Sequence, residues 1–298
     1  MKSFTKQILK HPEFYIIRFI KDKNLPDIIF IHGGPGFNCG ILEYLIEHHN
    51  LYDSINANII LYDQRNCGKS KKNNTEVKHQ DNINDLNLIL NFIYKYKIHI
   101  KALIGHSYGA KLLFDFYNFY KLKTPGVFVS TAKSIITPRL NNLLHDLSYI
   151  KKANSNLYNE IYESIDKMDL PSLWEITEKL NTIFQENENR PFLYWANLTY
   201  YNLVKNIQKE INLPPDLSTF KSVRQDLYSN YSNFSVDLDE LNIPKLWING
   251  FHDVINNGHL SALTMDDSIK TFYKSSHYPH IEENFYFCQC INEFIEQL

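Results

Sequence analysis

A serine at the start of a predicted helix is the first residue whose surroundings suggest chemistry. Gly105, Ser107 and Gly109 form a Gly-x-Ser-x-Gly pattern between an apolar run and an amphipathic stretch. A sharp strand-to-helix turn of this kind presents the serine hydroxyl as a nucleophile, and the glycines remove side chains that would collide there. A serine that caps the helix is the alternative explanation of the same residue. The strand–turn–helix context favours the nucleophile.

A serine nucleophile needs a base, and the base needs a carboxylate that orients it. Asp253 follows the apolar segment 245–249, and His277 follows the segment 268–273. Both residues therefore lie at the predicted carboxyl ends of strands, in the chain order Ser, Asp, His that suits this arrangement. We predict that Ser107, Asp253 and His277 form a catalytic triad.

Acyl transfer also needs two N–H donors at the place where negative charge develops on the substrate. The backbone N–H of Tyr108, directly after the serine, is one predicted donor. The second is predicted in the segment 32–36, His-Gly-Gly-Pro-Gly, which follows a short apolar run. Gly34 is the expected donor in that segment, because a backbone without a Cβ atom can approach a substrate closely.

Glycine-rich turns also bind phosphate, so a nucleotide-binding protein is a competing interpretation. The segment 32–36 lacks the Gly-x-Gly-x-x-Gly spacing, and Pro35 removes an N–H that a phosphate would use. The segment 67–70, Cys-Gly-Lys-Ser, ends like a P-loop, but Asp63 stands where the first glycine of that motif belongs. An acidic side chain there would repel a phosphate, which argues against nucleotide binding.

A metal site is a second competing interpretation, because His277 and His280 are followed by Glu282 and Glu283. Their spacing after a strand does not place all four groups on one helix face. The four cysteines are scattered and form no CxxC pair, which also argues against a disulfide framework. We therefore predict no metal and no cofactor.

Composition narrows the classes of partner. The chain has 298 residues, of which 44% are hydrophobic and 21% charged, and its net charge is −2. This balance indicates a globular protein without the bulk basicity that nucleic acid or an anionic membrane attracts. No apolar segment reaches membrane-spanning length and no secretory signal pattern precedes the first strand, so we expect a cytoplasmic protein.

The elements that must position these residues alternate between strands and helices. Strands are predicted at 13–20, 27–31, 57–62, 100–104, 127–129, 245–249 and 268–273. Helices are predicted at 85–96 and 108–120, and from 282 to the last residue. Such alternation indicates an α/β protein with a mostly parallel sheet flanked by helices.

Residues 134–241 break this alternation. Leucines at positions 140, 143, 144 and 147 follow a helical period, and further helical stretches are predicted at 157–168, 173–184 and 192–207. The α/β pattern resumes after Pro244. We therefore predict a core made of residues 1–133 and 242–298, with residues 134–241 inserted as a helical cap.

Five segments together resemble the α/β-hydrolase superfamily and, within it, the proline iminopeptidase group of serine peptidases. They are HGGPG at 32–36, YDQRNCGKS at 62–70, GHSYG at 105–109, GFHD at 250–253 and HYPHIEE at 277–283. The resemblance implies an α/β-hydrolase fold with a helical cap over the site. It also implies release of an N-terminal residue, often proline, from short peptides. Asp63 and Arg65 would be structural partners near the oxyanion loop.

The cap departs from the pattern of that group. Iminopeptidases hold the free amine of the substrate with cap glutamates, one of them in a Trp-Glu pair, whereas here Trp195 is followed by Ala196. A Trp174-Glu175 pair lies in another predicted helix. Gly33, Trp195 and Glu175 are the candidate substrate contacts.

These residues predict a cofactor-free serine hydrolase that acts on a small molecule or a short peptide through an acyl-enzyme. Release of an N-terminal residue is the first expected activity. Hydrolysis of esters, thioesters or lactones is the alternative within the same chemistry. A hydrolase-fold protein that only binds its ligand is the alternative from another class. The three triad residues argue against that alternative, because a pure binder has no chemical need for them.

Overall fold

The centre of the molecule is a sheet of eight strands. The structure, a computed structural model, describes residues 4–73, 75–132, 134, 136–164, 169–183, 190–231, 238–263, 266 and 268–298. The strands are β1 Thr5–Lys10, β2 Tyr15–Ile20, β3 Asp27–Ile31, β4 Asn58–Tyr62, β5 Ile100–His106, β6 Gly126–Val129, β7 Lys245–Gly250 and β8 Ile269–Phe272. Their spatial order is β1-β2-β4-β3-β5-β6-β7-β8. The pairs β1–β2 and β2–β4 are antiparallel, and all pairs from β4 to β8 are parallel.

Helices cover both faces of the sheet and fill the region between β6 and β7. They are α1 Gly40–His48, α2 His79–Lys95, α3 Tyr108–Tyr120, α4 Ile136–Ala153, α5 Ser155–Ser164, α6 Leu170–Ile183, α7 Leu198–Ile211, α8 Leu217–Tyr231, α9 Pro279–Glu282 and α10 Asn284–Glu296. Short 3₁₀ turns occur at Arg190–Leu193, Leu238–Glu240 and Gly258–Leu263. The predicted α/β class with a mostly parallel sheet is confirmed.

The register of the parallel strands places their carboxyl ends side by side. His106 at the end of β5 pairs with Val129 of β6, and Val129 pairs with Ile248 of β7. Gly250 at the end of β7 pairs with Phe272 of β8. The loops that follow these strands therefore meet at one edge of the sheet, where ligands bind in open parallel sheets.

Alternation along the strands divides the apolar interior into two clusters, one on each face of the sheet. On β5, Ala102 and Ile104 belong to one cluster, while Leu103 belongs to the other. Helices α1 and α10 cover the first face, and α2 and α3 cover the second. Each fully buried Leu or Ile contributes about 1.5–3 kcal/mol to folding. The buried strands therefore provide a rigid platform for the loops at their carboxyl ends.

Two elements near the amino terminus were not predicted from the sequence. β1 is an edge strand that pairs with β2. Leu9 is its one buried residue, and its other side chains are exposed, so its sequence shows no alternation of apolar and polar residues. α1 is short, with Leu42, Leu45 and Ile46 buried at helical spacing. A prediction based on hydrophobic period misses a strand like β1, whereas the apolar spacing of α1 is a signal that could have found it.

The helices and turns between β6 and β7, called the cap below, pack in two groups. Helices α4, α5 and α6 share a small apolar cluster of their own, made of Leu143, Leu147, Ile150, Ile161, Leu173 and Leu180. In contrast, Ile207 of α7 joins the cluster on one face of the sheet, and Val223 of α8 joins the cluster on the other. Helices α7 and α8 therefore pack on the apolar clusters of the sheet, whereas Asn141 of α4 contacts the loop after β7 by donating to the carbonyls of Val254 and Ile255.

The helix predicted at 192–207 is wrong in its amino-terminal half. A 3₁₀ turn ends at Leu193, and α7 begins only at Leu198. The side chain of Asn197 accepts a hydrogen bond from Thr199 N–H at 2.9 Å and so caps α7. Met168 and Phe184, the predicted ends of two other cap helices, lie outside the described residues.

Candidate active site

Ser107 occupies a strained turn between β5 and α3. Its φ and ψ are 54° and −118°, a conformation that costs a residue other than glycine about 1–3 kcal/mol. The N–H of Ser107 donates to the carbonyl of Val129 at 2.8 Å, which ties the turn to the neighbouring strand. At Gly109 a Cβ atom would collide with the carbonyl oxygen of Ile31. The turn therefore depends on this glycine and presents the serine side chain at the edge of the sheet.

The structure brings the three predicted triad side chains together. The Oγ of Ser107 lies 2.9 Å from Nε2 of His277, and Nδ1 of His277 lies 2.9 Å from Oδ2 of Asp253. Asp253 is 1% exposed and His277 is 5% exposed. With Nδ1–H donating to the carboxylate, Nε2 can accept the serine proton, which is the arrangement that general-base catalysis requires.

Asn256 orients the carboxylate of Asp253 and was not found by the sequence reasoning. Its side-chain amide donates to Oδ2 of Asp253 at 2.8 Å and to the carbonyl of Ser130 at 2.7 Å. The amide thereby links the loop after β7 to the end of β6. No local motif singles out this asparagine, because its partners come from two different loops.

The backbone around His277 is fixed on both sides. Its N–H donates to the carbonyl of Tyr194 at 3.0 Å, and its own carbonyl accepts a hydrogen bond from Nε2 of His106 at 2.8 Å. Tyr194 belongs to the cap and His106 precedes Ser107, so His277 is held by both parts of the chain. His106 was visible in the GHSYG motif, although no role was assigned to it.

Burial keeps two histidines beside the site uncharged. It lowers the pKa of His106 well below its ordinary value and that of His280 to about 3, with further lowering from neighbouring histidines. Their rings lie 4.5 Å apart between centroids. Over the described residues, no group of three or more His, Cys, Asp or Glu side chains is arranged to hold a metal ion.

The glycine-rich loop lies directly against the nucleophile. A Cβ atom at Gly33 would stand 3.1 Å from Cβ of Ser107, and Gly34 has a φ of +131°, which glycine adopts freely. Gln64 supports this loop from the adjacent strand end. Its backbone N–H donates to Nε2 of His32 at 3.2 Å, and its side-chain amide donates to the carbonyl of His32 at 3.0 Å.

Asp63 and Arg65 hold the loops beside the glycine-rich segment. The two carboxylate oxygens of Asp63 accept hydrogen bonds from the N–H groups of Cys39 and Lys69, each at 2.7 Å. Arg65 forms a two-pronged ion pair with Asp85, at 2.8 and 2.6 Å. The N–H of Lys69 that a phosphate on segment 67–70 would use is thus bound to a carboxylate. This contact argues further against nucleotide binding.

A buried polar network surrounds the hydroxyl of Tyr108, whose backbone N–H is the predicted oxyanion donor. The Tyr108 hydroxyl lies 3.0 Å from Nδ1 of His79 and accepts a hydrogen bond from the Asn82 amide at 2.8 Å. Nε2 of His79 lies 2.7 Å from Asp115, which also pairs with Lys111. The sequence reasoning missed this network, because its members come from two helices.

A cavity of about 570 Å³ opens over Ser107 and His277. Gly33 and Trp195, two of the three predicted substrate contacts, are among the residues that line it, together with Gly34, the predicted oxyanion donor. Trp195 also stacks on Tyr278, with ring centroids 4.2 Å apart. Glu175 is exposed on α6 and is not among the lining residues, so the structure does not bring it to the cavity.

The cap wall of the cavity comes from the turn at Tyr194 and Trp195 and from helices α7 and α8. Tyr201, Val204, Lys205 and Gln208 of α7 and Phe220 of α8 line this side. The enclosed volume suits a small molecule or the end of a short peptide.

None of the described helices is long and apolar enough to cross a membrane.

Comparison with known proteins shows which family this architecture resembles. Residues 26–283 match the family described as alpha/beta hydrolase fold. The proline iminopeptidase of Saccharolobus solfataricus is 24% identical over 293 residues, which cover 96% of this chain and 89% of that protein.

Two solved structures share the fold at low identity. A proline iminopeptidase-related protein from Thermus thermophilus aligns with a TM-score of 0.65 at 13% identity, over 98% of this chain and 97% of its own. An esterase from Exiguobacterium antarcticum aligns with a TM-score of 0.59 at 15% identity, over 99% of this chain and 100% of its own. The same fold thus occurs in proteins named for different substrates. The family match covers most of the chain, and we conclude that this protein belongs to the alpha/beta hydrolase fold family and is a serine hydrolase of that type.

Proposed function

We propose that this protein hydrolyses small acyl substrates through an acyl-enzyme on Ser107. The observation that carries the proposal is the pair of 2.9 Å contacts that joins Ser107 to His277 and His277 to Asp253. A base at this distance can activate a serine hydroxyl as a nucleophile at neutral pH.

In the proposed mechanism, Oγ of Ser107 attacks the substrate carbonyl while Nε2 of His277 accepts its proton. The buried carboxylate of Asp253 stabilises the imidazolium that forms. The N–H groups of Tyr108 and Gly34 donate to the tetrahedral oxyanion, and loss of one such donor lowers kcat by roughly 10²–10³-fold. His277 then protonates the leaving group. A water molecule activated by the same base releases the acyl group and restores Ser107.

The first candidate activity is release of an N-terminal residue from short peptides. The name of the curated relative from Saccharolobus solfataricus and the motifs at 32–36 and 105–109 support it. The small cavity is consistent with a substrate of this size, and Gly33 and Trp195 would contact its acyl part.

The second candidate activity is hydrolysis of esters or related acyl compounds that lack a free amine. One observation favours it: the described residues that line the cavity include no Asp or Glu. A substrate ammonium would have no carboxylate partner among them, and desolvating an unpaired charge is costly. Ala196, in place of the glutamate expected from the resemblance, agrees with this observation.

Labelling with a fluorophosphonate probe tests the nucleophile. We expect the wild-type chain to be labelled and Ser107→Ala to be unlabelled and inactive. Ser222→Ala, on the cap helix α8, is the matched control and should be labelled normally. Undiminished labelling of Ser107→Ala would refute the proposal.

A substrate panel separates the two candidate activities. Prolyl and alanyl anilides with a free amine are compared with their N-acetylated forms and with short acyl esters. A preference for the free amine supports the aminopeptidase, whereas equal or better turnover of substrates without an amine supports the ester hydrolase.

A further inference from the structure

The cap wall of the cavity carries a cation where an amine-binding site would carry an anion. We propose that the substrate bears a carboxylate remote from the scissile bond, and that Lys205 on α7 recognises this carboxylate. The inference rests on the proposed acyl hydrolase function and adds the chemical class of its substrate.

The geometry of α7 directs Lys205 to the cavity. Tyr201, Val204, Lys205 and Gln208 all line it, and their spacing of i, i+3, i+4 and i+7 defines a single helix face. Lys205 and Lys209 are both exposed, but Lys209, one position after Gln208, is not among the lining residues. Of these two lysines of α7, Lys205 lines the cavity and Lys209 does not.

Lys205 supplies the one permanent charge of the described cavity lining. Among the described lining residues, Lys205 is the only Lys, Arg, Asp or Glu. Burial lowers the pKa values of the lining residues His32, His106 and His280, so these rings are neutral at pH 7. A bound anion would thus meet a positive site without a competing negative charge on the described wall.

Lys205 is also available to a ligand. Across the described residues it has no acidic side chain within ion-pairing distance, and its contact is with the ring of Tyr201, 5.5 Å from Nζ to the centroid. The Tyr201 ring and the flexible lysine stem allow Nζ to reach into the cavity from the wall. The amide of Gln208, one helix turn further along, offers a neutral donor to the same carboxylate.

Two kinds of substrate would bring a carboxylate to this wall. The carboxylate can belong to the acyl part, as in a monoester of a dicarboxylic acid, or to the leaving group, as in a dipeptide with a free carboxyl terminus. Recognition by Lys205 is the same in both cases, and matched substrate pairs distinguish them.

The test compares kcat/KM within two such pairs. The first pair is the para-nitrophenyl monoester of adipic acid and para-nitrophenyl hexanoate. The second is a prolyl dipeptide and its carboxamide. We expect the carboxylate member of one pair to be preferred by roughly 10-fold or more, since a hydrogen bond to a charged group typically contributes that much.

Variants assign the preference to Lys205. Lys205→Ala should abolish it by raising KM for the carboxylate substrate, so that the ratio of kcat/KM between the two members of the pair falls to about 1. Lys205→Glu should invert the preference, Lys205→Arg should retain most of it, and Lys209→Ala should behave as wild type. High salt should weaken the preference in the wild type.

The results also separate this inference from the function on which it rests. Turnover of either pair that depends on Ser107 but shows no carboxylate preference, or a preference that survives Lys205→Ala, would overturn the role of Lys205 alone. If no substrate is turned over and Ser107 is not labelled by the fluorophosphonate, the hydrolase proposal itself fails and this inference fails with it.

Discussion

The carboxylate of Glu282 accepts a hydrogen bond from the backbone N–H of Ala196 at 2.8 Å. The same oxygen accepts a second bond from Asn197 N–H at 2.9 Å, and the other oxygen accepts one from Ser276 N–H at 2.8 Å. Ser276 immediately precedes His277, so one buried carboxylate joins the cap to the segment that carries the candidate base. At Ala196 the resemblance had suggested an acid for the substrate amine, whereas the structure shows an acid that binds the backbone instead.

Replacing this carboxylate should loosen both segments. Glu282→Gln turns one oxygen into an N–H₂ group that faces a backbone donor, so the free energy of unfolding should fall by about 1–3 kcal/mol. Urea denaturation measures this loss. Glu283→Gln is the control, because Glu283 is partly exposed and accepts a single bond from Lys274 N–H. Equal stability of the two variants would contradict the role of Glu282.

Asn256→Ala should lower kcat with little change in KM. It removes a donor 2.8 Å from Oδ2 of Asp253, and the carboxylate would then hold His277 less firmly. A hydrogen bond to a charged group contributes about 1.5–3 kcal/mol, which corresponds to roughly 10–100-fold in kcat. Steady-state kinetics with the best substrate of the panel measures it. Asn84→Ala, on the exposed face of α2, should leave kcat at the wild-type value.

Tyr108→Phe should impair both stability and catalysis. It leaves Nδ1 of His79 and the amide of Asn82 without their buried partner, which costs about 1–3 kcal/mol. Because the N–H of residue 108 is the proposed oxyanion donor, we also expect kcat to fall while KM stays similar. Tyr117→Phe removes another buried hydroxyl of α3, one that donates to Pro125. This control should lose stability but retain kcat, and equal loss of kcat in both variants would exclude a positioning role.

Acid should destabilise the fold through its buried histidines. Burial lowers the pKa of His280 to about 3, below the ordinary value of 6.5, so the unfolded chain binds a proton there that the folded chain does not. Stability from this group is therefore complete above pH 6.5 and is lost as the pH falls towards 3, by about 1.4 kcal/mol per pH unit.

The free energy of unfolding, measured by denaturant titration at several pH values between about 7 and about 4.5, tests this dependence. His280→Phe, in a pocket already lined by Phe30 and Phe287, should flatten the pH slope. His99→Gln, which replaces an exposed histidine, should keep the slope of the wild type. A slope that is the same in all three proteins would show that His280 is not responsible.

Part of this architecture could be predicted from short segments of the chain. The buried strands follow from apolar runs, and the turn at Ser107 follows from its two glycines and their position between a strand and a helix. Parallel strands place their carboxyl ends at one edge, so residues after β5, β7 and β8 could be expected to meet there. That expectation needs only the order of the elements and not their detailed packing.

Other parts of the site had no local signature. Asn256 acts on Asp253 through a loop, Glu282 binds a cap segment far away in the chain, and His79 reaches Tyr108 from another helix. Each is a polar residue of ordinary type, and its role is created by the partner that folding brings to it.

The sequence by itself determined the α/β class, the mostly parallel sheet and the three residues that meet at the carboxyl edge of the sheet, because these depend on hydrophobic period and on the order of elements. Only the tertiary structure decided which cap side chains line the cavity. It excluded Glu175 from the described wall and brought Lys205 to it. The physical reason is that the charge of a cavity depends on which faces of distant helices turn inward, and helix packing fixes those faces.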